Sequence, residues 1–440
     1  MIRSRLVICM FVAGVLTAGA QTKITAVDPT NQQEETIDLP EGMTYDADSL
    51  LREWNARKYL VPDTNCENPD VNPVFEKEVY IDRLRRIPAV MELAYNDVVQ
   101  KFIDQYSGHL RRSVSYMLGA CNFYVPIFEE ALDMYGLPLE LKYLPVIESA
   151  LDPRAVSHAG AVGLWQFMLD TGQRYGLEVN SLIDERRDPI KSSYAAACYL
   201  KDLYNIFGDW SLVIAAYNCG PENINKAIHR ADGQADYWKI YPYLPRETRG
   251  YVPAFIAANY VMNYYCEHNI CPMRTTLPAK TDTVVVTKDV HLKQIADVCG
   301  IDIDELRTLN PQYRRDIVNG NNKPSVIRLP ANATNTFIAN EDSIYNYQTD
   351  ALLTRRSLVE VESSQYTTST NSTRKTYSKS KSRKKKSTKR SKTRKKSVTV
   401  RKGDTLSEIA EKHNTTVKKL RQLNGIKGNN IRAGKKIRVK

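Results

Sequence analysis

A stretch of 29 residues occurs twice in this chain. TVVVTKDVHLKQIADVCGIDIDELRTLNP, starting at Thr283, aligns without a gap on SVTVRKGDTLSEIAEKHNTTVKKLRQLNG, starting at Ser397. The matched apolar pairs are Leu292/Leu406, Ile295/Ile409, Ala296/Ala410, Leu306/Leu420 and Leu309/Leu423, followed by Asn310/Asn424. Their three- and four-residue spacing is helical, and a β-branched run precedes each set. Each copy closes on a second such run, Val326-Ile327-Arg328-Leu329 or Ile437-Arg438-Val439. Internal repetition of this kind predicts two small modules of strand, helix, helix, strand, each with its own core. The first copy carries four extra residues before its closing strand.

The segment between the copies is Ser, Thr, Lys and Arg with hardly an aliphatic residue from 363 to 397. Such a composition cannot bury enough surface to offset ordering, so a disordered, solvated linker is expected over 340–396. As a coil, ~35 residues reach roughly 33 Å root-mean-square. This segment also explains the charge. The chain has 440 residues and a formal charge of +12. Residues 374–396 alone carry +14 and the terminal module +9, whereas 21–373 carry −13. Forty-two per cent apolar residues and a mean hydropathy of −0.44 exclude a polytopic membrane protein and a wholly disordered one.

Arg3 and Arg5 precede an apolar run from Leu6 that ends in Ala18-Gly19-Ala20. That run is short for a membrane span and matches a cleaved signal peptide over 1–20, which implies export to the periplasm or cell envelope without a transmembrane helix in the mature chain. Residues 21–80 are polar and weakly periodic, reading as an N-terminal arm. From 81 to 275 the apolar spacing is helical, with breaks at Gly136-Leu137-Pro138, Asp188-Pro189 and Gly208-Asp209. In an oxidising compartment Cys266 and Cys271, five apart in CEHNIC, are the candidate disulfide. Cys198 and Cys219 sit among small residues and read as buried. No His/Cys spacing fits a metal, and no cofactor is expected.

Within the helical region, Leu141, Leu144 and Ile147 form an apolar stripe with Glu148 on its edge, then Ser149 and Ala150. Pro145 is expected to bend this helix. Desolvation on such a helix end raises a carboxyl's pKa, which suits a general acid. Taken alone, the segment reads more readily as a Glu bonded to a neighbouring helix end. Downstream come Ser157-His158-Ala159-Gly160-Ala161-Val162-Gly163-Leu164-Trp165-Gln166-Phe167-Met168, then Ala215-Ala216-Tyr217-Asn218-Cys219-Gly220, then Arg246-Glu247-Thr248-Arg249-Gly250-Tyr251-Val252-Pro253.

In this order and spacing, over about 115–270, these motifs resemble the lysozyme-like (SLT) lytic transglycosylases of bacterial cell walls, nearest the membrane-bound D type with trailing LysM repeats. The terminal repeat resembles a LysM domain through Gly403-Asp404-Thr405-Leu406, while Asp289-Val290-His291 replaces that turn in the first copy. The resemblance implies a mainly α fold: a lysozyme-like α catalytic domain at 81–275, then two small βααβ LysM modules, a degenerate one at 283–330 and a second at 397–440. It implies a peptidoglycan substrate, the GlcNAc–MurNAc glycan strand, cleaved to 1,6-anhydroMurNAc ends. Glu148 is then the single catalytic acid/base. Ser157, Gln166, Met168, Tyr217, Asn218 and Tyr251 are implied to bind substrate, and Gly403, Asp404, Thr405 and Asn424 to bind glycan in the LysM module. Trp165 is read as core, and Asp152 as a turn residue.

Two alternatives accompany this expectation: a goose-type-lysozyme-like muramidase that admits water, and a non-catalytic peptidoglycan-binding protein. The basic linker is assigned anionic envelope polymers as partners. A nucleic-acid partner is not expected, because the tract has one aromatic residue, Tyr377, and lies behind an export signal.

Overall fold

The computed structural model describes residues 22–53, 59–278 and 280–353, and toward the C-terminus 397–399, 406, 409–410, 413, 415–424, 426 and 436–439. The expected signal peptide, most of the expected linker, and Gly403, Asp404 and Thr405 lie outside the described residues. The chain divides into a body up to Tyr366 and a separate C-terminal unit. The described elements are mainly helical.

Four helices build the core of the body: Asp97–Ser107, Arg111–Met134, Pro189–Phe207 and Arg246–Asn263. Each start is locally encoded where a cap is present. Asn96 accepts from Val99 N, and Asp188 accepts from Ile190 N and Lys191 N ahead of Pro189. Gly208, at φ 64°, ends the third helix, and Asp209 caps the next one, Trp210–Cys219. Small buried residues at Ala195–Ala197, Ala215–Ala216 and Ala257–Ala258 let these helices approach closely.

The segment expected to be a polar arm is part of this core. Lys23–Val27 pairs antiparallel with Glu34–Asp38, and Ile24, Ala26, Ile37 and Leu39 are buried among the helices. A Cβ at Gly250 would lie 2.8 Å from Ile37 Cγ2 and 2.9 Å from Asp38 O, so the fourth helix touches the hairpin through a glycine. Glu35 takes a 2.8 Å ion pair from Arg249 and a 2.5 Å bond from Tyr241 Oη. The polar composition concealed this because each strand buries only alternate residues.

The expected Cys266–Cys271 bridge does not form. Cys271 pairs with Cys66, across 205 residues, and Cys266 is an exposed free thiol. Arg111 donates to the carbonyls of His268 and Asn269 at 2.7 and 2.6 Å, fixing the turn that precedes Cys271. Leu60–Val61 pairs with Arg274–Thr275, which brings the Cys66 segment alongside. Proximity in sequence was a poor guide to proximity in space.

The first repeat follows its expected path and adds to it. Thr281–Val286 pairs with Ser325–Pro330 around helices Leu292–Cys299 and Ile303–Leu309. A second short pair, Asp289–His291 with Ile317–Asn319, lies beside it. His291 caps the first of these helices in a capping box with Gln294. The domain also runs past 330. Phe337, Ile344 and Tyr345, on helices Thr334–Ala339 and Glu341–Asn346, enter its core, so the expected linker does not begin at 340. The module docks on the helical body: Ile183 bridges Tyr313, Asp184 N donates to Gln312 O at 2.9 Å, and Arg314 N donates to Leu182 O at 2.8 Å.

In the C-terminal unit Ser397–Thr399 pairs with Lys436–Arg438 over a core of Leu406, Ile409, Ala410, Leu420, Ile437 and Val439. The repeat is faithful down to one side chain. Asn310 Nδ2 donates to Leu306 O and Arg328 O while Oδ1 accepts from Arg328 N. Asn424 makes the same three bonds with Leu420 and Arg438. Its amide clamps helix to strand in the terminal module. Among the described residues no helix is long and apolar enough to cross a membrane.

Candidate active site

Glu148 sits on the short helix Leu144–Ser149, which follows the 3-10 helix Leu139–Tyr143. Pro145 lies in the first turn of that helix, where its missing N–H is harmless, so it starts the helix rather than bending it. The helix ends abruptly at Ala150 and Leu151, both left-handed at φ 49° and 63°. This stop leaves Glu148 half-buried on the wall of a cleft of about 230 Å³. Burial pushes its carboxyl from 4.5 up to about 8, against the Tyr251 hydroxyl bond, which favours the ionised form; the charges of Glu247 and Glu41 add to the rise. At neutral pH this side chain carries a proton.

The Ser157–Met168 segment folds into a tight turn that forms another wall. Ser157 Oγ accepts from Ala161 N at 2.9 Å, and Gln166, at φ 47°, donates through Nε2 to Gly163 O at 2.7 Å. Gly163 is required here: it has φ 88°, and a Cβ would lie 1.9 Å from Arg186 O. Arg186 in turn is paired with Asp184 and donates to Phe167 O at 3.2 Å. Trp165 is fully buried, with Nε1 donating to Ser193 Oγ at 2.9 Å, in keeping with a core role. Met168 is 46 % exposed at the cleft.

Tyr217, Asn218 and Tyr251 complete the cleft. Tyr251 Oη donates to Glu148 Oε1. Tyr217 Oη donates to Trp165 O at 2.7 Å, so its hydroxyl holds the turn while its ring packs on Tyr199 at 5.3 Å. Asn218 Oδ1 accepts from Thr248 Oγ1 at 2.8 Å, which orients the amide. The structure therefore brings together all seven expected residues of the helical body. Asp152 lies outside the cleft lining, buried and accepting from Arg154 N at 2.8 Å, as a turn residue does.

Several contributors, Glu247 in the cleft lining among them, were not singled out as site residues from the sequence. Pro40 and Glu41 line the cleft, and Glu41 Oε1 accepts from His158 N at 3.2 Å. Next to them, a Cβ on Gly42 would lie 2.6 Å from Ile147 O, so the N-terminal segment presses on the backbone of the acid's own helix. Ser149 is fully buried, and its hydroxyl lies 3.1 Å from Pro145 O and 3.0 Å from Leu164 O, tying that helix to the turn. Glycine and serine at the seam were the only sequence signals. Among the described residues no His/Cys/Asp/Glu group could hold a metal ion.

Residues 126–240 match the family model for the transglycosylase SLT domain. The helical body carries an SLT domain. Residues 280–346 match the LysM-like domain of lytic transglycosylase MltD, and 398–440 match the LysM domain. The chain is 29 % identical over 308 residues to membrane-bound lytic murein transglycosylase D of Escherichia coli K12, covering 69 % of this chain and 60 % of that one. It is 39 % identical over 120 residues to membrane-bound lytic murein transglycosylase F of Maricaulis maris, covering 25 % and 24 %. The 70 kDa soluble lytic transglycosylase of E. coli, a solved structure, is 26 % identical over 35 % of this chain and 26 % of its own, at a TM-score of 0.29. The SLT match contains Glu148, the turn, Tyr217 and Asn218; Glu41, Glu247 and Tyr251 come from outside it.

Proposed function

We propose that the protein is a peptidoglycan lytic transglycosylase that works in the cell envelope after export. The observation that carries this reading is a carboxyl kept protonated to about pH 8 at a saccharide-sized cleft, with Tyr251 bonded to it. Glu148 donates its proton to the glycosidic oxygen between MurNAc and GlcNAc as the C1–O bond breaks. The resulting carboxylate then takes the proton from the MurNAc C6 hydroxyl while that oxygen bonds to C1. The products are a 1,6-anhydroMurNAc end and a free GlcNAc hydroxyl, and Glu148 is protonated again. One carboxyl suffices because the nucleophile is tethered within the substrate. Ordinary glycosidases need a second one to activate water or to attack.

In this reading Tyr251 orients the acid and lends it a hydrogen bond when ionised. Asn218 presents its amide to an N-acetyl group, and Ser157, Gln166, Met168 and Tyr217 shape the subsites beside it. The LysM module and the basic tract retain the enzyme at the wall and its anionic polymers. The Cys66–Cys271 bridge fits an oxidising, extracytoplasmic compartment. The test is solubilisation of purified sacculi by wild type and Glu148→Gln. Release that falls below detection in the variant, with sacculus binding retained, supports catalysis by Glu148; undiminished release refutes it.

A second reading has a specific observation behind it. Glu41 and Glu247 also line the cleft and are candidates to position a water, as a muramidase would need. It predicts reducing MurNAc ends in place of anhydro ends, and loss of activity in Glu41→Gln or Glu247→Gln comparable to that in Glu148→Gln.

A further inference from the structure

A second cavity, of about 260 Å³, lies between the SLT body and the LysM-like domain and shares no lining residue with the Glu148 cleft. Phe123, Ile127 and Ile190 form its body side; Leu309, Tyr313 and Val326 form the other. The walls cannot simply close on each other. The Ile183–Tyr313 bridge and the Asp184–Gln312 bond fix their separation, and Lys323 is ion-paired with Glu178 across the seam. At ~30 Å³ per molecule, roughly nine waters would be needed to fill the space against mostly apolar walls.

The polar groups at this cavity specify what would fill it better. Gln312 lines it and is only 6 % exposed, yet its Oε1 has no hydrogen-bond partner. A buried acceptor of this kind calls for an N–H or O–H donor. The cations of the lining are engaged, Lys191 with Glu185, Lys323 with Glu178 and Arg328 with Thr281 Oγ1, and the carboxylates of Glu185 and Asp188 also line the cavity, so it favours a neutral occupant over an anion. An N-acetylhexosamine meets these demands together: an amide N–H for Gln312, a methyl for the aliphatic wall, and an apolar pyranose face for the Phe123 ring.

We propose that this interdomain cavity is a second saccharide site, which takes one N-acetylhexosamine residue of a glycan strand away from the point of cleavage. The choice of glycan as ligand rests on the functional reading above. Because both domains contribute walls, the LysM-like module here acts as half of a site rather than as a free binding module.

The test uses the full chain carrying Glu148→Gln, with labelled isoleucine and methionine methyl groups followed by NMR. The probes are N-acetylated chitotetraose and cellotetraose, which lacks the N-acetyl arms. Chitotetraose should shift the methyls of Ile127, Ile183 and Ile190 at the cavity and of Met168 at the cleft; cellotetraose should leave the isoleucines unmoved. Gln312→Leu should weaken the isoleucine response about fivefold, the loss of one net hydrogen bond. Ile127→Trp, which fills the cavity, should abolish it at Ile183 and Ile190 while the Met168 response persists. Met168 responding while the isoleucines stay silent overturns the second site and leaves the functional reading standing. Isoleucines responding equally to cellotetraose, or unchanged by either variant, overturn the N-acetyl assignment. Silence at both places counts against the functional reading as well.

Discussion

Glu148→Gln should stabilise the protein at alkaline pH while removing its activity. A carboxyl whose pKa rises on folding, here from 4.5 to about 8, binds more protons folded than unfolded throughout that window. Stability is therefore lost as pH climbs from the lower value toward the upper and levels off above it. Each tenfold in proton affinity is worth about 1.4 kcal/mol. The wild-type penalty then works out at about 1 kcal/mol at pH 5, about 3 at pH 7 and about 5 at pH 9. Glutamine has no charge to desolvate and keeps an acceptor for Tyr251 Oη, so the variant escapes the pH-dependent part. The assay is denaturant unfolding of both proteins by tyrosine and tryptophan fluorescence from pH 5 to 9. The readout is the difference between them, which cancels other titrating groups. A difference growing by about 4 kcal/mol over that range is expected. A flat difference would mean that Glu148 ionises freely in the fold, and the general-acid argument would fall with it.

Tyr251→Phe removes the hydroxyl bonded to Glu148. Since that bond favours the carboxylate, the alkaline limb of the pH–rate profile should move to higher pH, with turnover lower by about 10–100-fold; an unmoved limb contradicts the contact. Gly42→Ala sets a methyl against Ile147 O and should cost about 1–3 kcal/mol in unfolding experiments, with a fall in kcat despite its position 106 residues before the acid. Ser149→Ala frees the acid helix from Leu164 and should lower kcat more than stability, measured side by side on one preparation. Cys66→Ser should lower unfolding free energy by about 2–5 kcal/mol, whereas Cys266→Ser should be silent, and peptide mapping should recover a Cys66–Cys271 linkage.

The legible parts of this molecule were those encoded within a few residues. The helices announce themselves through spacing and caps such as Asp188-Pro189 and Asp209, and the two repeats through matching residues as fine as Asn310 and Asn424. The seven cleft residues of the body were reached by motif order, since Glu148 alone was ambiguous. What stayed hidden depends on contacts between distant segments. Ile24 and Ile37 lie in a polar stretch, so their burial follows only from helices that arrive later in the chain. Glu41 enters the cleft by the same route. Cys66 has no local partner, and Ile344 with Tyr345 lies in a segment read as linker until a core receives it. The repetition of Asn310 as Asn424 has a structural reason that the sequence does not display: in both modules the amide ties helix to strand.

The central claim is that the substrate's own hydroxyl, and not water, attacks the anomeric carbon once Glu148 has given up its proton. Digesting purified sacculi in H₂¹⁸O and weighing the fragments by mass spectrometry tests it directly. The account predicts disaccharide-peptides lighter than hydrolysis products by one water, with no ¹⁸O at the new MurNAc end and none formed by Glu148→Gln. Reducing ends carrying ¹⁸O would contradict it and place water, held by Glu41 or Glu247, in the role assigned to the C6 hydroxyl.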